Sequence, residues 1–585
     1  MEAHVAETPA APMTLDSDRL AGPTPAPDAT PRRLRAGRIR DKLRWLFRRR
    51  LCFGGLAGAL IFFCLSMTPS LLPRGVLLQG VVGGLTAVIG YGVGSALSAG
   101  IRTVTPSEPN RNVKRIGWWA LLGATVLLVP VFLALGRSWQ NEVRDLMGME
   151  PLDAWEWGLI LVVAAVVAAL VLLIARLIRG LARVVIRFID RFLPRAISVT
   201  AGVMVTIVVV AGVIQGFLLD PAVEALNSTY SVVNTGTDPG IEQPTEPERS
   251  GSPASLVSWD TLGVKGRTFV ASGPKVTQIS QFNGEPAAEP IRVYVGIDSA
   301  DSLQARVDLA LAELDRTNAW SRDVIAVFTT TGTGWVDARA ADPLEYIHNG
   351  DTALVALQYS FLPSWISFLV DTTKAADAGR EMIHAVQRRL AEMPADARPK
   401  LLLFGESLGS YGTEQAFDGI DDMISSVDGA LLVGPVFRNA IHTSLTEDRD
   451  DGSPHWRPVY ENGENVRFAV APSDLSQPPA EWDHPRVVYL QNSSDPITYW
   501  KLDLLWSHPD WLDDPRGPDI SDDMRWSPVI MFWQTLADMA FSTGVPAGHG
   551  HSYGANPVDA WAAIDRPADW TDSDTVRLRD VIGHE

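Results

Sequence analysis

The chain has 585 residues, 46% of them apolar, a mean hydropathy of +0.07 and a net charge of −18. That length and apolarity imply several domains, with part of the chain in lipid, and the acidic balance argues against a nucleic-acid partner. Cys52 and Cys64 are the only cysteines, and both fall in one apolar segment, so the rest of the chain holds neither a disulfide framework nor a cysteine metal site.

Residues 1–31 are rich in Ala, Pro, Thr and Asp, and ten basic residues follow between Arg32 and Arg50. Residues 1–50 therefore read as a disordered, basic cytoplasmic tail. Five apolar segments long enough to cross a bilayer follow, at 51–73, 76–101, 116–136, 155–178 and 197–219. The segments at 102–115 and 176–195 carry four and six basic residues against one acid each, whereas 137–154 carries two against four. Counting positive charge inward puts the N-terminus in the cytoplasm and everything after residue 220 outside. Gly80 and Gly84, and Gly90 and Gly94, are spaced four apart and suit close helix contact in lipid. No acid or base lies mid-span, so the transmembrane domain, 51–219, reads as an anchor.

Residues 220–585 carry 26 basic and 55 acidic residues. The Pro/Gly/Ser/Thr-rich stretch 227–256 marks an extracytoplasmic linker over 220–259. Alternating elements then predict one α/β domain, 260–585, with a mainly parallel sheet covered by helices on both faces. Strands are expected at 291–296, 324–329, 353–359, 400–404, 429–434 and 487–491, helices at 301–316, 371–393 and 407–418, and an extended pair within 266–282.

The strand at 400–404 runs into Gly405-Glu406-Ser407-Leu408-Gly409 and then a helical pattern. Strand, sharp turn and helix around G-x-S-x-G form the setting of a nucleophile elbow, which makes Ser407 a candidate nucleophile. A serine hydroxyl needs a histidine to take its proton and a carboxylate to orient that histidine. Asp495 lies four residues past the strand at 487–491, and His549 and His551 lie in a glycine-flanked loop farther on. The order Ser, acid, His matches the elbow's usual partners, with His551 the preferred base and His549 the alternative. The backbone N–H of Leu408 is the first oxyanion donor, and Gly332 and Thr333 in "TTTGTGW" are candidates for the second, although the His-Gly signature of lipases is absent there.

"GESLGSYG", "QNSSDP" and "GHGHSYG" behind several membrane spans resemble the bacterial multipass α/β-hydrolase family with an integral-membrane N-terminal region, over about residues 50–580. The resemblance implies the α/β-hydrolase fold and a serine-hydrolase site, with Ser407, Asp495 and His551 at the motif positions. It leaves the substrate open.

Insertions at 438–486 and 499–526 are placed to shape the pocket, and the second carries Trp500, Trp506, Trp511 and Trp526, read as core residues or as a lipid-facing lid. The expected protein is a cell-membrane serine hydrolase acting outside the membrane on an acyl or lipid-like ester, with neither cofactor nor metal. An acyltransferase would use the same acyl-enzyme with an alcohol in place of water, and a scaffold that keeps the fold without catalysis would leave Ser407 unreactive.

Overall fold

The computed structural model describes residues 51–104, 110–363, 366–368 and 372–584, so the expected tail at 1–50 lies outside the described residues. The N-terminal region is a bundle of α1 (Phe53–Leu65), α2 (Val76–Val104), α3 (Arg111–Leu146), α4 (Leu159–Ile189) and α5 (Arg195–Val213). Four helical stretches are long and apolar enough to cross a membrane: Val76–Val104, Arg111–Leu146, Ala154–Ile189 and Ile197–Asn234. The glycines of α2 serve close packing. A Cβ on Gly94 would fall 2.0 Å from the Gly54 carbonyl oxygen, and one on Gly84 would fall 2.6 Å from that of Ala164.

The first apolar segment differs from expectation. Of residues 51–73 only 13 are helical, about 20 Å of helix against about 30 Å of hydrocarbon. Pro69 and Pro73 cannot continue a helix, and the chain unwinds after Leu65. Leu71 and Leu72 at its end do not face lipid. They join Val143 and Met147 of the α3 end in a buried cluster with Leu408, Val436, Trp500, Met531 and Phe532.

The linker also differs. Helix α5 runs through a π turn, Ile214–Leu219, into helix Asp220–Asn234, and Asn234 is buried against Gln358 at 3.0 Å. Beyond it Arg249 is fully buried, donating to the carbonyls of Val270 and Ser272. Residues 52–585 thus form one compact unit with no loose tether at 220–259.

Seven parallel strands follow: β1 (Ile291–Val295), β2 (Val324–Thr329), β3 (Thr352–Leu357), β4 (Lys400–Glu406), β5 (Gly429–Val433), β6 (Val466–Ala469) and β7 (Arg486–Leu490). Their order is β1-β3-β2-β4-β5-β7-β6. Nearly every strand residue is buried, as continuous Val/Ile/Leu/Ala runs require when helices cover both faces. The four-residue edge strand β6 lies in the 438–486 insertion, where no strand was expected.

The extended pair expected within 266–282 is instead two helices, Gly263–Ala271 and Val276–Asn283. Their buried positions, Gly266, Phe269 and Val270, recur at helical spacing despite the β-branched composition. Of the four tryptophans in 499–526, Trp500 is buried, Trp511 and Trp526 pack on the same cluster, and Trp506 is 68% exposed.

Candidate active site

Ser407 stands between β4 and helix Leu408–Glu414 with φ 54° and ψ −121°, a conformation L-residues avoid. Its neighbours must be small: a Cβ on Gly409 would lie 2.2 Å from the Thr329 carbonyl oxygen, and one on Gly405 would lie 2.5 Å from that of Gly409. The Ser407 N–H donates to the Val433 carbonyl at 2.9 Å, fixing the elbow against β5.

Asp495 and His551 meet 56 residues apart in sequence. The His551 Nδ1–H donates to Asp495 Oδ2 at 2.6 Å, and Asp495 is fully buried. The Tyr553 hydroxyl donates to the same oxygen at 2.7 Å, and the Ile497 N–H to Oδ1 at 2.9 Å. This carboxylate holds the imidazole so that Nε2 carries the free lone pair. Among the described residues His551 Nε2 is buried with no hydrogen-bond partner, and His551 and Ser407 line the same cavity. His549 points elsewhere, its Nδ1 2.9 Å from Asp519 Oδ2, and Asp519 also accepts from Ser493 and Ser494. The Ser494 hydroxyl accepts from the Gly550 N–H at 2.8 Å, so the His549–Asp519 pair ties the histidine loop to the loop bearing Asp495.

Leu408 follows Ser407 at the first helical position, with its side chain buried. Gly332 and Thr333 lie in a turn closed by Gly334 N–H to Thr331 O at 2.7 Å and Thr331 N–H to Trp335 O at 3.1 Å. Gln358 donates to the Thr333 carbonyl at 2.9 Å and Tyr294 to that of Gly334 at 2.7 Å, which makes the turn rigid. Thr331 and Trp335 are its cavity-lining members.

The cavity holds about 870 Å³. Its lining mixes apolar side chains, Phe368, Val436, Ile497, Leu536 and Met539, with polar ones, Thr331, Asp337, Arg339, Glu406 and Tyr553. Among the described residues no group of His, Cys, Asp and Glu is placed to hold a metal ion.

Sequence reasoning passed over Tyr553, Asp519 and Asp337. Tyr553 lay inside the quoted "GHGHSYG", but its hydroxyl's target is visible only once β7 and the histidine loop are adjacent.

Glu406 is buried beside Ser407, and burial, then the charges of Asp337 and Asp495, push its carboxyl well above the ordinary 4.5. Asp337 is itself pushed up to about 6, chiefly by burial. The native state therefore binds the Glu406 proton more tightly than the unfolded chain does. That stabilisation is whole below pH 4.5 and is lost as pH rises through the raised native value. Glu406→Gln removes the slope, so the variant's Tm is expected to fall less than wild type's as pH rises across that window. Parallel Tm curves would show that Glu406 ionises normally.

Residues 291–578 match the alpha/beta-hydrolase family, and residues 67–274 match the N-terminal region of that family. No curated protein and no solved structure matches the chain. Parallel sheet, elbow and family match, preceded by the family's own N-terminal region, agree along most of the sequence: the chain belongs to the alpha/beta-hydrolase family.

Proposed function

We propose that the protein is a membrane-anchored serine hydrolase that cleaves an acyl or lipid-like ester through Ser407, His551 and Asp495. The observation that carries this reading is the Asp495–His551 bond of 2.6 Å, which leaves Nε2, unpartnered among the described residues, on the cavity that Ser407 also lines. Ser407 Oγ attacks the ester carbonyl carbon while its proton passes to His551 Nε2. The resulting oxyanion is met by the Leu408 N–H and a donor from the Gly332–Thr333 turn. Collapse breaks the ester C–O bond, and the departing alkoxide takes the proton from His551. Water then gives a proton to His551 and its oxygen to the acyl carbon, releasing the acid and restoring Ser407. The apolar lining residues suit an acyl chain.

The catalytic domain faces the outside of the cell membrane in this reading. The loop after α1, the C-terminal part of α3 and the end of helix Asp220–Asn234 touch the catalytic domain, through Leu72 on Asp538, Glu142 on Ser521 and Asn234 on Gln358. The basic ends around 102–115 and 176–195 belong to the opposite ends of the same helices, where positive charge marks the cytoplasm.

A membrane-impermeant fluorophosphonate tests both parts in intact cells. Labelling is expected in wild type and absent in Ser407→Ala. Labelling only after permeabilisation would invert the topology and keep the chemistry, and no labelling in either case would defeat the serine mechanism.

A further inference from the structure

The loop between α1 and α2, Ser66–Gly75, lies against the catalytic domain, and its contacts are specific. Gln534 of helix Ile530–Met539 donates to the Thr68 carbonyl at 2.9 Å and reaches the Ser66 carbonyl at 3.3 Å. Asp538, one turn on, accepts from the Leu72 N–H at 3.4 Å and lies 4.0 Å from the Arg74 guanidinium, both side chains fully buried. Burial lifts the Asp538 carboxyl to about 6, with the Arg74 charge opposing.

The same helix turns Leu536 and Met539 toward the catalytic cavity. Just past its end, the Ser542 carbonyl accepts the His551 N–H at 2.8 Å. Leu72 reaches the histidine loop directly: a Cβ on Gly550, which has φ +52°, would come within 3.2 Å of Leu72 Cδ2. Leu72 is 1% exposed. Two routes therefore connect this loop to the backbone of His551, one through Leu72 on Gly550 and one through Gln534 and the Ser542 carbonyl.

We propose that the Ser66–Arg74 loop is a positioning element of the catalytic centre, so that the membrane bundle sets the geometry of His551 and does more than tether the enzyme. The proposal rests on His551 being the base. A base must sit within hydrogen-bond reach of the proton it takes, and a displacement of about 1 Å costs up to about a hundredfold in rate. Positioning acts on the chemical step, so it lowers kcat while leaving ground-state binding of substrate nearly alone.

The test uses the full-length protein in detergent, with a p-nitrophenyl ester and a fluorophosphonate probe. Leu72→Ala and Gln534→Ala are each expected to lower kcat by about tenfold or more with KM within about twofold of wild type, and to shift the acid limb of kcat against pH. Leu72→Met, which keeps the volume, should restore most of the rate. Leu77→Ala, at a residue of α2 that is 69% exposed, is the control and should leave turnover unchanged. Circular dichroism and gel filtration identify any variant that fails to fold, and for such a variant the milder Leu72→Val and Gln534→Asn replace it. Folded variants with wild-type kcat and pH profile would overturn the proposal. Retained probe labelling in Ser407→Ala would instead overturn the serine mechanism itself, so the two failures are distinguishable.

Discussion

His551→Ala is expected to silence ester hydrolysis as completely as Ser407→Ala, each by about a millionfold in kcat, and the double variant is expected to be little worse than either. The non-additivity is the informative part. Ser407 Oγ is a weak nucleophile without a base, and an imidazole without the hydroxyl has no proton to take, so removing either removes the same step. His549→Ala separates the two histidines of the loop. Its ring faces Asp519, away from Asp495, so the variant should keep substantial activity and lose mainly loop order. Measuring kcat for the three single variants and the double with one activated ester decides the matter. A dead His549→Ala beside an active His551→Ala would move the base by two residues, and full activity in both would remove the triad.

Asp495→Asn is expected to lower kcat by about 10^4-fold with folding intact. The carboxylate accepts three hydrogen bonds, from His551, Tyr553 and Ile497. An amide at this site cannot offset the positive charge that His551 acquires, and it can turn its N–H₂ toward Nδ1, forcing the proton onto Nε2 and making the base a donor. Tyr553 adds a signature. Its hydroxyl is held well above its ordinary pKa by burial and by the Asp495 charge. In Asp495→Asn the charge contribution vanishes, so ultraviolet titration of the tyrosinates should show one tyrosine ionising at lower pH. Turnover near wild type would send the search for the acid to Glu406 or Asp337, the two carboxyls that line the cavity with Ser407 and His551.

Much of this arrangement was legible in the sequence, because some signals are local. Ser407 announces itself through two glycines whose missing side chains leave room for Thr329 and for the helix start. Asp495 follows from its place just past β7, since loops after parallel strands gather at one edge of the sheet, and His551 from its glycine-flanked loop farther on in the order Ser, acid, His. Other features were not local. Hydropathy marks Leu71 and Leu72 as apolar without saying whether lipid or protein covers them, so the first span was read as longer than the helix that forms. The helices at 263–283 are short, and their β-branched residues outweighed a period visible over only one or two turns. The second carboxylate, Asp519, sits in an insertion without strand or motif and acquires its role only when Ser493, Ser494 and His549 converge on it.

The cluster that joins Leu71 and Leu72 to Leu408, Met531 and Phe532 also fixes an order of assembly. Its first members leave the ribosome more than three hundred residues before its last, and the Leu72–Asp538 hydrogen bond spans 466 positions. Closing so long a loop is slow, and until it closes the cluster that Leu408 joins lacks its N-terminal members. Folding of the α/β domain is thus tied to the N-terminal helices: its second core is complete only once Leu71, Leu72, Val143 and Met147 are in place. An α/β domain cut free by a protease would lose Leu71, Leu72, Val143 and Met147 from this cluster, so it is expected to be less stable and more prone to aggregate than the full chain.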